Sequence, residues 1–155
     1  MGVTPVTTGA FYRHFNDKED LFISLVAPLP KELSGFYDKI EDESFRDIEK
    51  NYGRDLAEIN FEGSIESTLY TFSKEELFNL LIYKAYGMKY DNFIELLVEK
   101  EDINRHKAFQ LISKKKNIKA EIPKEAMHLL NHAYINALCE IVIHSNTEEE
   151  VKTNT

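Results

Sequence analysis

Two histidines and one cysteine are the residues of this sequence best suited to metal or covalent chemistry. His128 and His132, in HLLNH, stand four residues apart, a spacing that puts two imidazoles on one helix face where they can share a metal ion. No acidic or cysteine side chain stands at a matching local spacing, and two ligands are too few for a structural site. A dimer face or a partly exposed helix surface is the expected reading of the pair. Cys139 lies in an apolar helical stretch, where a thiol is usually inert. The run KKK at 114–116 reads as a solvated helix end rather than a phosphate patch. Neighbouring carboxylates, such as Glu75 and Glu76 or Glu41, Asp42 and Glu43, sit in solvated-looking stretches. There is no Gly-rich phosphate loop, nucleophile elbow or HExxH. The expectation is a protein that is not an enzyme and holds no cofactor or metal.

Aromatic side chains are a second resource: 10 Phe and 8 Tyr, with no Trp. Tyr70, Phe72, Phe78, Tyr83, Tyr86, Tyr90, Phe93 and Phe109 cluster within 70–109. Such a group either lines an apolar pocket with a few polar tips or forms ordinary bundle core. In 126–143, Met127, Leu130, Tyr134, Leu138 and Ile141 make one stripe at helical spacing, widened by Leu129, Ala133, Ala137 and Val142. A helix apolar over so much of its circumference is buried on more than one side. It is either a dimer helix that also walls the core or the central helix of a monomeric bundle.

The elements that must position these groups all read as helices. Asn16 as N-cap, with Glu19 three residues on, forms a capping box before Leu21, Phe22, Leu25 and Val26. Pro28 and Pro30 predict a kink or break. From Lys31 to about Ile40, the residues Leu33, Phe36, Tyr37 and Ile40 keep helical spacing. Phe45, Ile48, Tyr52, Leu56 and Ile59 keep it more weakly across Gly53, and Gly63 with Ser64 predicts a break. Ser73 and Glu76 form another capping box before Leu77, Leu80, Leu81 and Ala85, and Gly87 suits the position past the helix end. Phe93, Leu96, Leu97, Ile103, Phe109 and Ile112 predict a long helix from Lys89 to about Lys116, its basic end complementing the dipole. Pro123 opens a helix through about Ser145, and Thr147 with Glu150 starts one more. With no strand alternation and no repeat, the fold class is all-α, with about six to eight helices.

Composition agrees. The chain has 155 residues, 43% hydrophobic and 30% charged, which suits one domain with a real core. A single cysteine excludes an internal disulfide framework and suits a reducing cytoplasm. No apolar run approaches the ~20 residues needed to span a bilayer, so no membrane partner is expected. The start, MGVTPVTTGA, lacks the basic and apolar regions of a signal peptide. A net charge of −8 does not draw nucleic acid to the whole chain, so any DNA contact needs a local patch.

One stretch carries a family resemblance. TTGAFYRHFNDKEDLF resembles the TetR/AcrR family of transcriptional repressors: a small or hydroxyl residue, Gly, Tyr, an aromatic or His, Phe, then a Lys–acidic–x–Leu helix start. Thr8, Gly9, Tyr12, His14, Phe15, Lys18, Glu19 and Leu21 meet that pattern. YGMKYDNFIELLVE and HAYINALCEIVIHS are similar to the family's ligand-binding domains, more loosely. The resemblance implies a recognition helix at TTGAFYRHF, with Thr7, Thr8, Gly9, Tyr12, His14 and Lys18 contacting an operator DNA. It divides the chain into a DNA-binding remnant, 1–26, and a helical ligand-binding and dimerisation domain, 27–155. It implies a small hydrophobic or cationic effector in a pocket whose lining is expected from Tyr70, Phe78, Tyr83, Tyr86, Phe93 and Phe109. It also implies a homodimer through Met127, Leu130, Tyr134, Leu138 and Ile141. The family's first helix and nearly all of its second have no counterpart ahead of Thr7. Isolated helices below about 12–15 residues are marginal, so DNA binding by this chain alone is expected to be impaired. The alternative expectation is a non-DNA-binding helical module that pairs with itself or with a full-length paralogue.

Overall fold

A computed structural model describes residues 8–155 as eight helices joined by short turns. They are α1 (Thr8–His14), α2 (Lys18–Val26), α3 (Pro28–Asn51), α4 (Leu56–Ser73), α5 (Glu75–Lys84), α6 (Phe93–Lys116), α7 (Lys124–His144) and α8 (Glu148–Asn154). No helix among the described residues is long and apolar enough to cross a membrane.

Local chemistry explains most of the helix ends. Asp17, not Asn16, caps α2: its carboxylate accepts from Asp20 N at 2.8 Å, and Asp20 reaches back to Asn16 N at 3.0 Å. The expected box is therefore present but one residue later. Thr147 caps α8 as expected, accepting from Glu150 N at 3.2 Å. The break predicted at Pro28 and Pro30 is present: α2 ends at Val26 and α3 starts at Pro28, with both prolines in its first turn, where a missing N–H costs nothing. As a result α3 starts before Lys31 and runs past Ile40 to Asn51 as one helix of 24 residues. It stops because Tyr52 turns left-handed (φ 60) and Gly53 follows at φ 76. Asp47 then ties down the turn, accepting from Asp55 N at 3.0 Å.

The predicted break at Gly63 and Ser64 does not occur; α4 runs straight through both. Gly63 is there because Ile40 of α3 occupies the space its side chain would need. The hydroxyls that α4 buries are satisfied by their own helix: Thr68 Oγ1 donates to Ser64 O at 2.7 Å and Thr71 Oγ1 to Ser67 O at 2.8 Å. Ser73 is not a cap; its hydroxyl donates back to Tyr70 O at 2.6 Å, and α5 starts at Glu75 without a side-chain cap. Likewise α5 ends at Lys84, so Gly87 (φ 73) serves the turn that follows rather than the helix end, and α6 begins at Phe93 rather than Lys89.

α3 and α4 form an antiparallel hairpin, and α7 returns antiparallel along α6. α3 and α6 run parallel: Ser34 meets Lys100 near their starts, and Glu49 meets Lys115 near their ends. Between them, Lys107 Nζ lies 4.0 Å from Glu41. The central core joins Val26 of α2, Leu29, Leu33 and Tyr37 of α3, Phe78 and Leu81 of α5, Phe93, Leu97 and Val98 of α6, and Ile135 and Val142 of α7. α8 closes one side of the bundle through Val151, which is fully buried.

Candidate ligand cavity

The parallel pair α3 and α6 leaves room between itself and α4. A cavity of about 370 Å³ lies there, within the usual range for small-molecule sites. Ile40 and Phe45 of α3, Leu56 and Ala57 of α4, and Ala108, Phe109 and Ile112 of α6 give it apolar walls, with Met127 reaching in from α7. One part of the lining is polar and is built by Tyr37, Glu101 and Arg105, with Asn60 and Asn104 also on the lining.

Helical phase brings these polar groups inward. Glu101 stands four residues past Leu97 and eight past Phe93, on the stripe that faces the core, and is only 7% exposed. Its carboxylate accepts from Arg105 Nε at 2.7 Å, one turn further on. The Arg105 guanidinium in turn lies over the Tyr134 ring, 5.1 Å from its centroid. Ser64 Oγ donates to Asn60 O at 2.6 Å, so its contact with Tyr134 is one in which the phenol donates. Three helices, α4, α6 and α7, are thereby linked around this polar region.

Tyr37 separates the cavity from a second, inner void of about 30 Å³, lining both. It is 7% exposed, and burial, reinforced by the charge of Glu101, pushes its phenol far above the usual value. The hydroxyl therefore stays protonated. It has no hydrogen-bond partner among the described residues. Its oxygen is not among the fully enclosed polar atoms left without a partner, which are Asp47 Oδ1 and Ser145 Oγ, so it stands where something placed in the cavity can reach it.

The expected pocket aromatics do not gather here. Only Phe109 lines the cavity. Phe78 and Phe93 are core residues that line the inner void rather than the cavity, and Tyr70 packs on Phe36 with ring centroids 5.3 Å apart. Tyr83 faces outward because α5 buries Phe78 and Leu81 on its opposite side, and Tyr86, in the turn past the end of α5, is 94% exposed. What the sequence reading missed is the polar lining. Its visible signal is a charged i,i+4 pair, Glu101 and Arg105, lying in phase with an apolar stripe.

The expected dimer stripe also divides. Met127 lines the cavity, Leu138 lines the void, Tyr134 is held by Ser64 and Arg105, and Ile141 is half-buried. Leu130 alone of the five is well exposed, at 66%. The outward apolar face instead combines Leu130 with Leu129, at 69% exposure, and with Ala133 and Ala137. Beside it, between α6 and the start of α7, Ile103, His106, Met127 and Leu129 help line an outer groove of about 550 Å³.

His128 and His132 do not meet over a metal. His128 Nδ1 is 2.7 Å from Asp102 Oδ2, and Asn131 Nδ2 donates to Asp102 Oδ1 at 2.7 Å, so the histidine joins α7 to α6. Among the described residues, no three His, Cys, Asp or Glu side chains are grouped to hold a metal ion.

At the other end, Thr7 lies outside the described residues, as do the side chains of Thr8 and Tyr12. Gly9 and His14 are exposed on α1, and Lys18 is exposed at the first position of α2. No family model, curated protein or solved structure matches the chain.

Proposed function

We propose that this chain is a ligand-sensing helical module of a TetR-like transcriptional regulator, its effector held in the cavity between α3, α4 and α6. The observation that carries the reading is the cavity itself: an apolar chamber of about 370 Å³ with a buried polar region containing an unpartnered phenol. The helix–turn–helix-like run from α1 into α2, with His14 and Lys18 exposed, supports a DNA-facing origin for that end. DNA binding by this chain is proposed to be weak. The net charge is −8, and a helix of seven residues such as α1 is marginal by itself.

Two measurements test this. Thermal shift against a panel of small apolar compounds should give saturable stabilisation, and the gain should vanish in Ala108→Phe, which fills the chamber. No stabilisation by any compound would remove the sensing role. Fluorescence anisotropy with operator-like and random DNA should show weak, salt-sensitive and unselective binding. Tight, sequence-selective binding would reverse the second part of the proposal.

The outward pair Leu129 and Leu130 favours a further reading: a helical interaction module that pairs with a second copy or with a longer relative through α7. Light scattering should then show a dimer that Leu130→Glu converts to monomer. A wild-type chain that stays monomeric at high concentration would end this reading.

A further inference from the structure

We propose that the cavity takes an uncharged, largely apolar molecule carrying one hydroxyl, an alcohol or a phenol, seated at the polar lining made by Tyr37, Glu101 and Arg105. This rests on the reading of the cavity as a ligand site and names the class of ligand.

Charge balance decides against ionic ligands. Glu101 is already matched by Arg105 at 2.7 Å, and Glu41, the other carboxylate on the lining, stands 4.0 Å from Lys107. An ammonium entering the polar region would meet the Arg105 guanidinium beside Glu101, the buried carboxylate of the lining. A carboxylate would meet the negative charges of Glu101 and Glu41. Either ion would lose hydration without an unshared counter-charge.

A hydroxyl fits what is left over. Glu101 can accept a hydrogen bond, Tyr37 carries an O–H with no partner, and Arg105 has N–H groups beyond the one given to Glu101. A ligand hydroxyl donates once and accepts twice, so it can serve the carboxylate and a donor together. The remaining lining is Ile40, Phe45, Leu56, Ala108, Phe109 and Ile112, which calls for a hydrocarbon body.

Three probes on one ring system separate the alternatives: 2-naphthol, 2-naphthoate and (2-naphthylmethyl)trimethylammonium, titrated calorimetrically at neutral pH. 2-Naphthol should bind at least about tenfold tighter than either ion. Tyr37→Phe should weaken it by about 2–10-fold without lowering the thermal midpoint of the free protein, since the lost hydroxyl had no partner. Equal or tighter binding of an ion, or no effect of Tyr37→Phe on 2-naphthol, overturns the hydroxyl assignment and leaves the ligand site standing. Binding of none of the three overturns the ligand site as well.

Discussion

A Cβ placed on Gly63 of α4 would stand 2.4 Å from Ile40 Cγ1 of α3, so the space beside α4 is filled by the Ile40 side chain and leaves room only for glycine while Ile40 keeps its position. Gly63→Ala gains about 1 kcal/mol of helix propensity. It also forces Ile40 to move, and overpacking of this kind costs about 1–3 kcal/mol. A net loss of about 1 kcal/mol is expected by urea denaturation. In an Ile40→Ala background the same change should become neutral or stabilising. The same loss in both backgrounds would show that the contact is not what glycine serves.

Arg105 is tied twice, to Glu101 at 2.7 Å and over the Tyr134 ring at 5.1 Å. Removing it leaves a buried carboxylate without its counter-charge. Arg105→Ala should lower stability by about 1–3 kcal/mol, below the range for fully buried broken pairs because Arg105 is itself partly exposed. Arg105→Lys should recover little, since an ammonium has neither the planar stack nor the fixed Nε donor. Full recovery by lysine would reduce the pair to a simple charge contact.

His128 makes the junction of α6 and α7 sensitive to pH. Its hydrogen bond to Asp102 raises its pKa above 6.5, with the charges of Asp102, Glu95 and Glu99 adding in the same direction. A raised pKa in the folded state means that the stabilisation is full below the unfolded value and is lost as pH rises through the folded value. Stability should therefore fall across that interval above pH 6.5, and the fall should disappear in His128→Gln. An NMR titration midpoint for His128 at or below 6.5 would contradict this.

Burial, reinforced by Glu140, pushes the Cys139 thiol up to about 12. At neutral pH it carries almost no thiolate, which is the reactive species. Alkylation by iodoacetamide should be at least about tenfold slower in the native protein than in urea. Equal rates would mean that the residue is open to solvent and ionises normally.

What could be read from the sequence follows the range of the interactions. The all-helical class, the cap at Thr147 and the start after Pro123 depend on residues within one turn, and they are present. Gly63 was misread because its reason, Ile40, lies on another helix and leaves no local trace. The pocket aromatics were misassigned because counting rings ignores helical phase: Tyr83 and Phe78 share α5 but face opposite ways. The polar lining of the cavity was hidden for a related reason. Tyr37 reads as one more core aromatic until α6 places Glu101 beside it.

The parallel alignment of α3 and α6 has a consequence for how this sequence can vary. Ser34 with Lys100, Glu41 with Lys107 and Glu49 with Lys115 are all separated by the same 66 positions. One residue inserted into α6 between Lys100 and Lys115 would turn everything after it by about 100° and carry the later lysines off the α3 face. A matching insertion in α3 would be needed to restore the match. Related chains should therefore gain or lose residues in the turns, at 52–55, 85–92 or 117–123, and keep these two helical spans equal in length.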